Sequence, residues 1–461
     1  MRIKNTLPSA LKYQAVVIES AARDRGLDFF DVVFELLDAD AVNGVAAYGG
    51  FPERYPSWRF GMDYERLAKG YQWGLSKIYE LVINNDPTYA YLVSSNSLLE
   101  QKLVMAHVYG HADFFKNNVW FAGTDRRMLE TMRHFSTRVR ALIDEHGQER
   151  IEKTLDTMQS LDALIDPFLP QRRANSGVDR PRPALSERRR QALEQFGFDD
   201  PDLTGEPKPK ASGLDLPTED VLGFLERHAP LREWERELLN MVRAEAYYFL
   251  PQRWTKIANE GWACFWHSKI LTGGLLEPSE ILDFADTHAG ATAAQQGQLN
   301  PYRLGLALWR YAEERGEDLF LMRRIHGDGT LIDALVDEEF SLRYHGVRPG
   351  GERAAREAGF DWKAWKAQLL AGLHWGGSPR IELIGCDAEH RGELVLRHHH
   401  DGRDLEISAA ELTLQNLAAL WRGPVELHTL LEEAPAKVIV DGDDTRVERA
   451  APASEAGPSA S

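Results

Sequence analysis

Cysteine is scarce in this chain, with only Cys264 and Cys386 among 461 residues. That count argues against a disulfide framework and fits a reducing, cytoplasmic compartment. No run of about eighteen apolar residues occurs, so membrane insertion is not expected. The first residues, MRIKNTLPSALKYQ, lack the long apolar stretch of a secretory signal. An excess of positive charge is also missing: Lys and Arg total 54 against 71 Asp and Glu, a formal net charge of -17. Such a surface repels phosphate backbones, so nucleic acid is not an expected partner, and the acidity needs no function beyond solubility. Walker loops, GxGxxG fingerprints and GxSxG elbows are absent from suitable contexts, which leaves nucleotide and serine-hydrolase chemistry little support. No solenoid-type repeat is present.

What is present is length, aromatic mass and helical periodicity. The chain is long enough for two or three domains, and its 12 tryptophans suit core more than surface. Residues 29–37 read as a strand, and the Asp-Ala-Asp after them starts a short helix. The segment 49–61, GGFPERYPSWRFG, is too rich in turn residues for regular structure. A helical pattern runs from Met62 to about Ser76, and 78–95 form a hairpin. Helix is expected over Leu98–Asn117, after a Ser97 N-cap with Gln101 near the capping-box position. Further helices are expected over 125–148, 149–165, 217–228, 231–249, 252–271, 278–289, 301–315 and 330–343. Short β-prone segments at 380–386, 392–399, 403–407 and 424–430 surround a helix at 409–421. The expected fold is therefore α+β and predominantly α-helical, with the hairpin leading into the helix of residues 98–117. Its expected parts are 1–169, a linker or mobile excursion at 170–216, a helical part at 217–373 that packs on the first, a small α+β domain at 375–448, and a disordered tail at 449–461.

The chemistry concentrates in two helical segments. In His107-Val108-Tyr109-Gly110-His111 the histidines are at i and i+4, so both project from one face and can share a metal ion. Two histidines at that spacing also occur as a hydrogen-bonded pair inside a core. A second segment, Asn259-Glu260-Gly261-Trp262-Ala263-Cys264-Phe265-Trp266-His267, puts Glu260, Cys264 and His267 on one stripe of an aromatic helix. Buried there, a carboxylate, a thiol and an imidazole all need partners, and a metal shared with His107 and His111 would satisfy them. Glu260 and His267 are about 10.5 Å apart along the helix axis, too far for one ion without distortion. Glu260 is therefore the expected third ligand, Cys264 a further candidate, and His267 an outer partner, a proton carrier or a ligand of a second ion.

A hairpin, an HxxxH helix and a later Glu-Gly-Trp-Ala helix together look like a zincin-like peptidase of the gluzincin kind. The departure is Val108, which stands where an HExxH enzyme carries the glutamate that activates water. Asp113 points to the other side of its helix, which leaves His267, or Glu100 two turns before His107, as candidates for proton transfer. Asn259 and Arg253 read as groups that orient ligands or a substrate carboxylate, or as a solvated helix start. Lys116 and Asn117 read as a helix cap or as substrate contacts, and Tyr109 belongs to the same motif. The run His398-His399-His400 cannot aim all three rings at one ion from a strand.

HVYGHADFFKNN at 107–118, YYFLPQRWTKIANEGWACFWH at 247–267, LNPYRLGLALW at 299–309 and YPSWRFG at 55–61 together resemble the stage V sporulation protein R (SpoVR) family, from about residue 10 to about 430. The resemblance implies a link to envelope, sporulation or stress physiology. By association it also implies a serine protein kinase and a von Willebrand-like domain protein as partners. On the residues, the chain is expected to be a metal-dependent hydrolase with zinc as the divalent metal, and the resemblance adds peptide or cell-wall-derived material as its substrate. The alternatives are a non-catalytic regulatory protein with a closed structural metal site, and a buried polar network without metal.

Overall fold

A computed structural model describes residues 7–72, 80–176, 216–293, 299–345, 359–387 and 392–449. The fold is predominantly helical with two small sheets, and the chain divides into two compact units. One comprises residues 1–159 and 232–378, the other 160–231 and 379–461. The first begins with α1 (Ser9–Asp24), β1 (Val32–Leu37), α2 (Ala39–Ala47) and α3 (Trp58–Gln72). Asp38 caps α2 by accepting the Ala41 N–H. Helix α3 begins inside the expected irregular loop, four residues before Met62, once the chain has passed Pro56.

β2 (Glu80–Ile83) and β3 (Thr88–Val93) follow as an antiparallel pair, and β1 joins β3 in parallel, giving the order β1-β3-β2. Then comes α4 (Leu98–Asn117). Its start is a reciprocal cap in which the Ser97 side chain accepts the Glu100 N–H and the Glu100 carboxylate accepts the Ser97 N–H. Glu100, rather than Gln101, completes the capping box. Gln101 instead donates to the Val93 carbonyl at the end of β3. From Val104 to Phe115 every residue of α4 is buried, so the helix is a central strut. α5 (Met128–His146) and α6 (Gln148–Gln159) end this part.

The chain then enters the second unit with α7 (Leu169–Ser176) and α8 (Val221–His228). Most of the expected excursion, 177–215, lies outside the described residues. The chain returns through α9 (Glu233–Trp254), α10 (Lys256–Thr272), α11 (Ile281–Ala291), α12 (Pro301–Glu314), α13 (Leu319–Ile325), α14 (Asp328–Leu335), α15 (Glu338–His345) and α16 (Trp362–Leu373). Helix α9 runs through Pro251, and the break before α10 falls at Thr255, whose hydroxyl donates to the Pro251 carbonyl. The helix expected over 330–343 is two helices, α14 and α15, and α13 and α16 were not foreseen.

The second unit closes with β4 (Ile381–Asp387), β5 (Glu393–His398), α17 (Ile407–Trp421), β6 (Val425–Leu431), β7 (Ala434–Asp441) and β8 (Asp444–Arg449), in sheet order β4-β5-β6-β7-β8. No strand forms at 403–407, because Glu406 caps α17 by accepting the Ser408 and Ala409 N–H groups. Residues expected with the flanking helical parts belong here: Thr218 bridges Leu383, Arg380 bonds Glu219, and the Phe224 ring meets Trp421 at a tilt. The first unit thus ends at 159 and resumes at 232, against expected limits of 169 and 217. The expected disordered tail falls almost wholly on residues 450–461, outside the described ones.

In the first unit α10 lies between α4 and α12. Glycines set both contacts. A Cβ on Gly110 of α4 would stand 2.7 Å from Ala263 Cα, and one on Gly261 would stand 2.2 Å from the Gly305 carbonyl carbon of α12. Asp328 of α14 caps α10 from outside, accepting the Ile257 and Ala258 N–H groups at 3.0 and 2.8 Å. Trp309 of α12 donates to the Ala258 carbonyl.

Gly261→Ala should therefore destabilise the protein by about 1–3 kcal/mol through overpacking. Gly44→Ala is the contrast. It lies inside α2 with nothing within 4 Å of its would-be Cβ, and should stabilise by about 0.5–1 kcal/mol. Denaturant melts of both variants check the pair, and equal effects would sink the close-approach argument. Burial pushes the Asp328 carboxyl up to about 7 from 3.8, even against its two amide bonds. The native state then keeps a proton that the unfolded chain releases. The stability this group contributes is complete below its unfolded value and is lost as pH rises through about 7. The stability of the wild type should fall across that window more steeply than that of Asp328→Asn; parallel curves would refute it.

Candidate metal centre

The α4–α10 contact decides which side chains meet. Gly110 lies between His107 and His111, and Ala263 lies between Glu260 and Cys264. When those two small residues touch, the flanking polar groups face each other. Glu260 Oε2 stands 3.5 Å from His107 Nε2 and 3.4 Å from His111 Nε2. These separations exceed an ordinary hydrogen bond, and the buried Glu260 Oε2 has no hydrogen-bond partner among the described residues. His107 and His111 are almost fully buried, and the Glu260 side chain is 18% exposed. All three line a cavity of about 920 Å³.

Asn259 fixes one tautomer. Its Oδ1 lies 2.9 Å from His111 Nδ1 and can only accept, so Nδ1 carries the proton and the Nε2 lone pair of neutral His111 points at the Glu260 carboxylate. A lone pair facing a carboxylate oxygen calls for a proton or a cation between them. Burial raises the Glu260 carboxyl, but His111 and then His107, with a proton on the facing nitrogen, outweigh it and hold the group well below the ordinary carboxylate range.

A second set shares His107. Its Nδ1 lies 2.9 Å from Nδ1 of His267, whose Nε2 is 2.8 Å from His288 Nδ1. Among the described residues, two sets have ligand atoms within 4.8 Å of one another and could hold a metal ion: His107, His111 and Glu260, and His107, Cys264 and His267. Burial, with His107 and His288 adding to it, drives His267 well below the usual histidine range. Burial, Arg310 and His107 push His288 down to about 4. Both rings are neutral near pH 7.

The remaining motif residues lie elsewhere. Glu100 is held in the cap of α4 and does not line the cavity. Tyr109 faces the other way, donating to the Ala15 carbonyl and packing on Phe29 and Phe34. Asp113 is fully buried on that far face, where it accepts the Trp262 indole N–H and the Asp28 N–H and pairs with Arg323. Burial pushes it up to about 6. Lys116 pairs with Asp28, and Asn117 donates to the Asp28 and Asp113 carbonyls. Arg253 runs past Gly376. Of the proposed orienting residues, Asn259 meets a member of the triad, His111. The histidine run disperses: His398 meets Thr429, His399 meets Glu382, and His400 meets Asp404. Sequence reasoning missed His288, which has no motif around it and reaches the site only because α11 packs near α4.

Comparison with known proteins bears on most of the chain. Residues 6–329 match the family described as SpoVR like protein, and residues 379–432 match the SpoVR-like C-terminal domain. A protein of Escherichia coli (strain K12), printed as "Uncharacterized protein YcgB", is 32% identical over 326 residues, which cover 64% of this chain and 61% of that protein. No solved structure matches. No helix among the described residues is long and apolar enough to cross a membrane. With the family match running through both the HxxxH helix and the helix that carries Glu260, the chain belongs to the SpoVR family.

Proposed function

We propose that this chain is a divalent-cation-dependent hydrolase, with His107, His111 and Glu260 as the ligands of the ion. The observation that carries the reading is the position of Glu260 Oε2, 3.5 and 3.4 Å from the two Nε2 atoms. A tetrahedral ion with bonds of about 2.0–2.2 Å to nitrogen and oxygen spaces its donors about 3.3–3.5 Å apart. Two imidazoles and a carboxylate suit zinc. The tautomer set by Asn259 aims the His111 lone pair where the ion would lie.

A structural site is closed by four protein ligands, whereas a catalytic one keeps a position open. Three donors on the wall of a cavity of about 920 Å³ favour the second kind. Val108 is fully buried and moves no proton, so a cation held by His107, His111 and Glu260 would supply the acidity for water activation. Substrate access through the cavity and the family's association with the envelope favour peptide or cell-wall-derived material.

Full-length protein purified without an affinity tag should carry stoichiometric metal by elemental analysis, and His107→Ala and Glu260→Ala should lose it. Metal-free wild type would end the reading. Chelation, or either substitution, should also abolish any cleavage of peptides or muropeptides seen by mass spectrometry. Asn259→Ala should leave the ligands in place but weaken zinc affinity about 10–100-fold by freeing the His111 ring. Unchanged affinity would remove Asn259 from the site.

A further inference from the structure

We propose that Cys264, His267 and the Nδ1 edge of His107 form a second cation position, so that the His107 imidazole bridges two ions. The inference builds on the first position and is tested separately from it. Ligating histidines are usually anchored through the nitrogen that does not touch the metal. His111 fits that pattern, with Nδ1 on Asn259 and Nε2 toward Glu260. His267 fits it in the opposite sense, with Nε2 on His288 and Nδ1 toward His107. His107 is the ring between them, turning Nε2 to Glu260 and Nδ1 to His267. The two anchors thus leave one nitrogen on each outer ring aimed inward, and both nitrogens of the central ring face a ligand set.

Cys264 completes the second set. It is buried, lines the same cavity, and has its sulfur within 4.8 Å of ring nitrogens of both His107 and His267. The helix explains the division of labour. Glu260 and His267 lie about 10.5 Å apart along the axis of α10, so one ion cannot serve both, but the two edges of a single imidazole can. A donor set of one thiolate and two imidazoles is softer than the carboxylate set, and selects zinc or another soft cation over magnesium or calcium.

Uptake at this position is acid–base chemistry without electron transfer. The Cys264 S–H bond breaks, and so does the His107 Nδ1–H bond, which makes the bridging ring an imidazolate. Both protons pass to solvent as one sulfur–metal and two nitrogen–metal bonds form. Without the ion, the same edge is an imidazole–imidazole hydrogen bond.

The test uses full-length, tag-free protein and Co²⁺ as the probe, reading molar uptake by equilibrium dialysis and the thiolate-to-cobalt charge-transfer absorbance. The expected result is a second molar equivalent accompanied by that absorbance. Cys264→Ser should lose the band and the second equivalent while keeping the first, Glu260→Gln should keep the band, and Cys386→Ser should change nothing. Circular dichroism checks folding, and His267→Gln stands in if the serine variant does not fold. A single equivalent without the band, lost in Glu260→Gln and kept in Cys264→Ser, overturns the second position and leaves the hydrolase site intact. A single equivalent with the band, lost only in Cys264→Ser, supports the thiolate position and overturns the carboxylate one. No cobalt uptake overturns both.

Discussion

The close contact between α4 and α10 is the constraint on which the centre depends. Gly110 and Ala263 let the two backbones approach until a Cβ on the glycine would collide with Ala263. The polar residues on either side of that contact are then held across a narrow gap. Gly261 does the same for the opposite face of α10, letting α12 press it toward α4. A helix clamped on both faces, capped from outside by Asp328 and bonded through Trp309, has little freedom to slide. A metal site needs its ligands within a fraction of an ångström of their places, and rigid packed helices supply that better than loops.

This packing also has an electrostatic consequence. A carboxylate placed among buried imidazoles loses hydration and must be compensated nearby. Here the compensation comes from His111 and His107, which hold Glu260 ionised despite its burial. On the far side of α4, Asp113 is compensated in a different way, by Arg323, the Trp262 indole and a backbone amide. The two carboxylates sit on opposite faces of the same helix contact. One is satisfied by fixed donors and ties the helices together; the other looks toward a cavity and toward two imidazole nitrogens.

Much of the centre was legible in the sequence because helical spacing fixes which residues share a face. His107 with His111, and Glu260 with Cys264 and His267, follow from 3.6 residues per turn. The spacing does not say which helix a face meets, and that is where reading from sequence stopped. It could not find His288, which arrives on a third helix, nor separate Asn259, which grips His111, from Arg253 and Lys116, which do not. Glu100 shows another limit. A glutamate two turns from a histidine is equally suited to a proton-transfer role and to a capping box, and only the Ser97 backbone geometry decides. The predominantly helical α+β fold and the β2–β3 hairpin were readable from periodicity. The contact of Thr218 with Leu383, both in the second unit, leaves no periodic trace.

Val108 bears on what such a centre can do. In an HExxH helix the residue after the first histidine supplies a base beside the metal, so the ion can be modest in its own acidity. Here that position is apolar and buried, and Asp113 is turned away and engaged. Any water at this site would have to be acidified by positive charge alone. One ion held by two neutral imidazoles and one carboxylate keeps a net charge of about +1. A second ion on the other edge of His107 would enter as two protons leave, so it would leave the net charge unchanged and couple to the first position through the shared ring alone. The histidine between the two donor sets carries the connection.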